Sequence, residues 1–165
     1  MPFQNESQEK TFNKVKEALF NEYGQRRFAV LKNPAGEEVG FGMYVGSADI
    51  KVHVHPYREK FSTISISAVL TFQTQADAKL FEWIVKQNYN IMYGGFCYIE
   101  YKEKPGWGNV VFYYDIYGET FSEIELYNAV DNASWVADKW DDYIVENFGG
   151  KTTRMSIEEQ QKKEN

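Results

Sequence analysis

His53 and His55 are two residues apart, and on a strand that spacing sets both imidazoles on one face. Two such rings could share a divalent metal, but a site wants a third ligand and a second shell, and Asp49 is the one nearby candidate. The pair therefore reads as two histidines on an exposed face, with no metal expected. Asp138, Asp141 and Asp142 stand at i, i+3 and i+4, so one helical face would carry three carboxylates. They could attract a cation or a basic partner, yet they flank a continuous apolar stripe and read as its solvated edge. "FGGKTT", residues 148–153, resembles the end of a phosphate loop, but the full pattern needs Gly where Val145 stands and a strand before it. Cys97 lies between Phe96 and Tyr98 with no histidine close in sequence to activate it, so it reads as a structural thiol. No catalytic residue and no cofactor site emerges, and a non-enzyme is expected.

Composition narrows the partners. The chain has 165 residues and a formal charge of −6, and an acidic balance repels phosphate backbones, so no nucleic-acid partner is expected. Aromatic residues make up 17%, with 12 Tyr among them, more than a core needs; some of those rings should sit half-exposed, where the phenol tip meets water or a partner. One cysteine excludes an internal disulfide and fits a reducing compartment. The N-terminal "MPFQNESQEKTFNKVKEALF" lacks an apolar leader stretch and no run approaches 18 apolar residues, so a cytoplasmic protein without a membrane partner is expected.

The elements that position these residues follow from periodicity. Phe12, Val15, Leu19, Phe20 and Tyr23 have helical spacing over residues 7–23, with Gly24 as the stop. The period then drops to two in "RFAVLKN", in "VGFGMYVG", in residues 50–54 after a tight "GSAD" turn, and in "STISISAVLTF". In the last of these, Ile64, Ile66, Ala68, Leu70 and Phe72 oppose Thr63, Ser65, Ser67 and Thr71. Thr74 to Asp77 reads as a capping box for a helix over 75–90 whose buried stripe is Leu80, Phe81, Ile84 and Val85. Gly94 and Gly95 form a hinge into strands 96–101 and 109–117, which are joined by the turn-rich "KEKPGWG". Thr120 to Glu123 reads as a second capping box. It opens a long helix carrying Leu126, Val130, Ala133, Ala137, Trp140 and Ile144, closed by Gly149-Gly150. Residues 1–150 thus form one α+β domain: an antiparallel sheet in the order helix, four strands, helix, two strands, long helix. Residues 151–165 are left as a polar tail or a short helix from Ser156.

The second half of this order carries a likeness. "LFEWIVKQNYNIMYGGFCYIEY", "NVVFYYDI" and "FSEIELYNAVDNASWVADKWDDYI" resemble the YbjN-like family. Its members are bacterial proteins labelled sensory-transduction regulators, related in fold to the type III secretion chaperones such as the Tir chaperone group. The likeness rests on a helix ending in Asn88, on Gly94-Gly95-Phe96 leading into a hairpin, and on Ala137-Asp138-Lys139 in the final helix; it covers roughly residues 60–148. The first half agrees in element order alone, and the strand near 27–33 and the polar tail have no counterpart. The resemblance implies a type III secretion chaperone-like fold and a dimeric, non-enzymatic, protein-binding module.

Two functions from different classes follow. In the first, the chain is a chaperone-like or regulatory interaction module, acting as a homodimer on a protein client or signalling partner. The second face of the sheet carries Gly40, Gly42, Lys51, His53, Thr63 and Ser65 at the meander. At the last hairpin it carries Cys97 with Ile99, Tyr101, Val111, Tyr113 and Tyr117, a group apolar enough to mark an interface. In the second, the long helix closes a curved sheet over an apolar cavity lined by Trp135 and Trp140, as in helix-grip ligand-binding proteins and enzymes. The helix over 75–90 separates them, because it is expected to fill the space a ligand would need.

Overall fold

The computed structural model describes residues 3–24, 27–45 and 48–164. Helix α1, Glu6–Tyr23, starts at Asn5, whose side chain accepts the Gln8 N–H at 2.7 Å, and Glu6 and Glu9 suit the positive end of its dipole. It stops at Gly24, whose φ of +73° few other residues adopt. Four strands follow: β1 (Phe28–Lys32), β2 (Glu38–Val45), β3 (Ala48–Tyr57) and β4 (Phe61–Gln75). Helix α2 (Ala78–Asn90) leads to β5 (Gly95–Tyr101) and β6 (Lys104–Tyr117), and then to α3 (Glu123–Phe148) and α4 (Thr153–Glu164).

The six strands form one antiparallel sheet in the order β1-β2-β3-β4-β6-β5. The class is α+β, as the alternation implies. Helix α2 carries the chain past the end of β4 to the far edge, and β6 returns between β5 and β4. Helices α1 and α3 cover one face. Phe12, Val15 and Leu19 of α1 and the stripe from Leu126 to Ile144 of α3 meet the inward Phe41, Ile66 and Phe112. Each large apolar side chain so enclosed stabilises the fold by about 1.5–3 kcal/mol relative to leaving it exposed. No helix among the described residues is long and apolar enough to cross a membrane.

Several boundaries differ from the sequence expectation. Strand β4 runs through Thr74 to Gln75, because its second half pairs with Trp107 and Gly108 of β6; the "KPGWG" stretch is strand, and the turn shrinks to residues 102 and 103. The cap of α2 is consequently Asp77, which accepts the Leu80 N–H at 2.8 Å, and not Thr74. The cap of α3 is Ser122, two residues past Thr120. A register shift between Val69 and Thr71 turns Thr71 inward, where its hydroxyl meets that of Thr74 at 2.7 Å, and leaves Phe72 partly exposed. On α2 the buried stripe is Leu80, Trp83 and Ile84, while Phe81 and Val85 face outward. Ala48 and Asp49 of the expected "GSAD" turn belong to β3, and Gly46 and Ser47 lie outside the described residues.

The polar C-terminal segment is not a free tail. Lys151 pairs with Phe72 through backbone bonds of 2.7 and 2.9 Å, Thr152 and Thr153 are buried, and α4 starts at Thr153, three residues before Ser156.

Candidate interaction surface

Register determines what the uncovered face of the sheet presents. His53 stands beside Ser65 and Asp115, Lys51 beside Ser67 and Tyr113, and Val69 beside Val111 and Cys97. At the hairpin, Ile99 is 52% exposed; Tyr113 and, at the far end of β6, Tyr117 are also exposed. Tyr101 is half-buried; its hydroxyl accepts the Gln73 N–H at 3.1 Å and donates to Asn109 Oδ1. Tyr113 donates to Ser65 Oγ at 2.8 Å, and Ser65 donates to Asp115 Oδ1 at 2.6 Å. Burial, against the Ser65 bond, pushes the Tyr113 phenol above its ordinary range. The phenol tips of Tyr101 and Tyr113 are therefore tied within the chain and their ring faces are what remain on offer.

Val111 corrects the expectation of an exposed centre. Only 3% of it is accessible, so a partner would meet the residues around it and not Val111 itself. At the other end of the face Tyr117 packs on Tyr57 and Phe61, ring centroids 6.3 and 5.8 Å away, with Arg58 beside the Tyr57 ring. These partners were missed from sequence, although the polar Arg58-Glu59-Lys60 turn between two aromatics is a hairpin signal that would have brought Tyr57 and Phe61 together.

The hinge divides unequally. Gly94 has φ +80°, and a Cβ there would meet Phe112 Cζ at 2.5 Å and the Tyr113 carbonyl at 2.7 Å. Gly95 has no positive φ and is the first residue of β5. Beyond the hinge, β5 is the sheet edge, and Asn88, in the last turn of α2, clamps it. Asn88 Nδ2 donates to the Phe96 carbonyl at 3.0 Å and Oδ1 accepts the Phe96 N–H at 2.6 Å. The polar backbone of Phe96 thus points away from β6, and by alternation that of Tyr98 and Glu100 does too, along an edge with no further strand among the described residues.

The other sequence candidates are placed apart from this surface or in structural roles. The His53 and His55 rings stack 5.8 Å apart, and His53 Nδ1 lies 3.3 Å from the Val39 carbonyl, over Gly40, where a Cβ would sit 2.7 Å from that nitrogen. Asp49 lies instead 3.8 Å from Lys51 Nζ. Among the described residues no group of three or more His, Cys, Asp or Glu side chains is placed to hold a metal. Asp138, Asp141 and Asp142 line a pocket of about 330 Å³ with Thr152 and Arg154, and burial raises the Asp141 carboxyl. "FGGKTT" is the turn from α3 to α4, and its Lys151 pairs with Glu159 at 2.5 Å. Cys97 is half-buried, and burial pushes its thiol up.

The space under α3 that a ligand would need holds Trp83 of α2, which stacks among Phe96, Trp140, Tyr143 and Phe148. Trp135 is 58% exposed and, with Trp140, lines a surface pocket of about 240 Å³. The chain matches no family model and no curated protein sequence.

Proposed function

We propose that this chain is a non-enzymatic protein-binding module, chaperone-like or regulatory, that works as a homodimer through the outer face and open edge of its closing hairpin. The carrying observation is Ile99, 52% exposed opposite Asn109 and two residues from Tyr101, on a strand whose outer edge has no neighbour among the described residues. An antiparallel second copy centred on Ile99 would oppose Tyr98 to Glu100 of that copy, with backbone bonds in both directions, and bring the two Ile99 side chains together at the two-fold axis. The Asn88 clamp on Phe96 limits the pairing to that short stretch.

The likeness to the YbjN-like and type III secretion chaperone-like proteins supports this reading. Asn88, Gly94 and Phe96, three of the residues on which it rests, tie the last turn of α2 to the start of β5. The filled space around Trp83 disfavours the helix-grip alternative. A single cysteine fits work in a reducing compartment.

Ile99→Asp tests it. A carboxylate at an exposed monomer position changes stability within about 0.5 kcal/mol. At the axis of a dimer it meets its own copy desolvated, which costs several kcal/mol. Sedimentation should show a wild-type dimer and a folded, monomeric variant. A wild type that is already monomeric, or a variant that stays dimeric, overturns the interface.

A further inference from the structure

On the opposite side of the sheet, the segment from Asn90 to Tyr93 stands over α3 and makes a trough. One end, about 360 Å³, lies between Tyr93, Tyr114, Glu125 and Asn128; the other, about 240 Å³, lies between Met92, Trp135 and Lys139. The two share Tyr93 and Asn132, so they lie side by side along the helix. Tyr93 is 60% exposed, and Met92, Ile124 and Trp135 are exposed with it, an apolar concentration that water alone does not explain.

The trough also holds unspent polar groups. The carboxamides of Asn128 and Asn132, the phenols of Tyr93 and Tyr114 and the carboxylate of Glu125 make no side-chain hydrogen bond among the described residues. Its two charged lining groups are segregated. Glu125 is at one end; at the other is Lys139, whose Nζ lies 4.6 Å from the Trp135 ring centroid and 5.1 Å from that of Trp140.

The molecule shows what a helical asparagine does with extended backbone: Asn88 bonds both polar groups of Phe96. Asn128 and Asn132 repeat that side chain at i and i+4, about 6 Å along the axis. That interval approximates the two-residue repeat of an extended chain, about 6.6 Å, so successive outward-facing peptide groups could meet successive carboxamides. Glu125 and Lys139 are about 21 Å apart along the helix, a span of about six extended residues.

We infer that this trough binds an extended peptide segment of a partner protein, with a basic residue at the Glu125 end and an acidic residue about six positions away at the Lys139 end. The carboxamides hold its backbone, and an apolar side chain between the charges lies across Tyr93 and Trp135.

The test is an array of synthetic seven-residue peptides carrying one Lys and one Glu at every separation in a background of Ala, Leu and Thr. Labelled wild-type protein should be retained most where the two charges are six positions apart. In solution, anisotropy of the best fluorescent peptide should show binding weakened tenfold or more by Asn128→Leu with Asn132→Leu, at unchanged melting temperature. Lys139→Glu should abolish the preference for charges six positions apart. Ile99→Asp, across the sheet, should leave the affinity unchanged, which separates this site from the hairpin interface. No retained peptide, retention indifferent to charge separation, a folded double variant or Lys139→Glu variant that binds as wild type does, or loss of binding in Ile99→Asp each overturns the inference.

Discussion

Asn88 completes Phe96 as a neighbouring strand would: its side-chain amide takes both the N–H and the C=O of that residue, at 2.6 and 3.0 Å. One side chain in the last turn of a helix thereby fixes the first inward residue of β5 and blunts part of a sheet edge. Asn88→Leu keeps the approximate volume and removes both bonds. Leaving the two backbone groups without partners should cost about 1–3 kcal/mol in urea unfolding and speed exchange of the Phe96 amide hydrogen. An exchange rate equal to wild type would show that the clamp does not hold the edge.

The hinge glycines should respond differently to the same change. At Gly94 an alanine must adopt φ near +80° and drive its Cβ against Phe112 and the Tyr113 carbonyl. Strain and overpacking together put the loss at about 2 kcal/mol or more. At Gly95 the added Cβ meets the Asn88 carboxamide at 3.2 Å, which a side chain can absorb, so Gly95→Ala should lose under about 1 kcal/mol. Equal losses in thermal melts would contradict the assignment of the turn to Gly94.

Protonation of His53 should set a mild acid limit. Burial, against its bond to the Val39 carbonyl and with help from His55 and Lys51, holds the ring below its ordinary value of 6.5. The unfolded chain therefore takes up this proton at a higher pH than the native one. Stability falls as pH drops from about 6.5 toward the native value and levels off below it. His53→Gln, which retains a donor for Val39, should reduce the difference in melting temperature between pH 7.5 and pH 5. An identical difference in both proteins would assign the acid sensitivity elsewhere.

The alternation of Ile50, Val52 and Val54, and of Ile64, Ile66 and Ala68, carried enough information to predict which face each strand buries, and Leu126 to Ile144 did the same for α3. Period-2 reading failed after Val69, because one extra residue in β4 shifts the register against β6, a tertiary event with no local mark. It failed again on α2, where Trp83 displaced Phe81 and Val85 from the core through a cluster of rings contributed by distant segments. The hairpin face was legible because parity alone sets it; the burial of Val111 within it was not. The α3 trough was not legible either, since Tyr93 and Asn132 are brought together only by the loop that follows α2.

The placement of β6 between β4 and β5 constrains how the chain is made. Thr63 pairs with Tyr117, and Ile66 with Tyr114, so the central ladder of the sheet joins segments roughly fifty residues apart. A ribosome adding about 5–20 residues per second releases β1 to β4 several seconds before β6 follows. Through that interval the growing polypeptide carries a finished meander with β4 as an unpaired, apolar margin, and nothing made so far can close it. The nascent chain is most prone to association with its neighbours on the polysome at that stage, and translation pauses between Gln75 and Lys104 would prolong it.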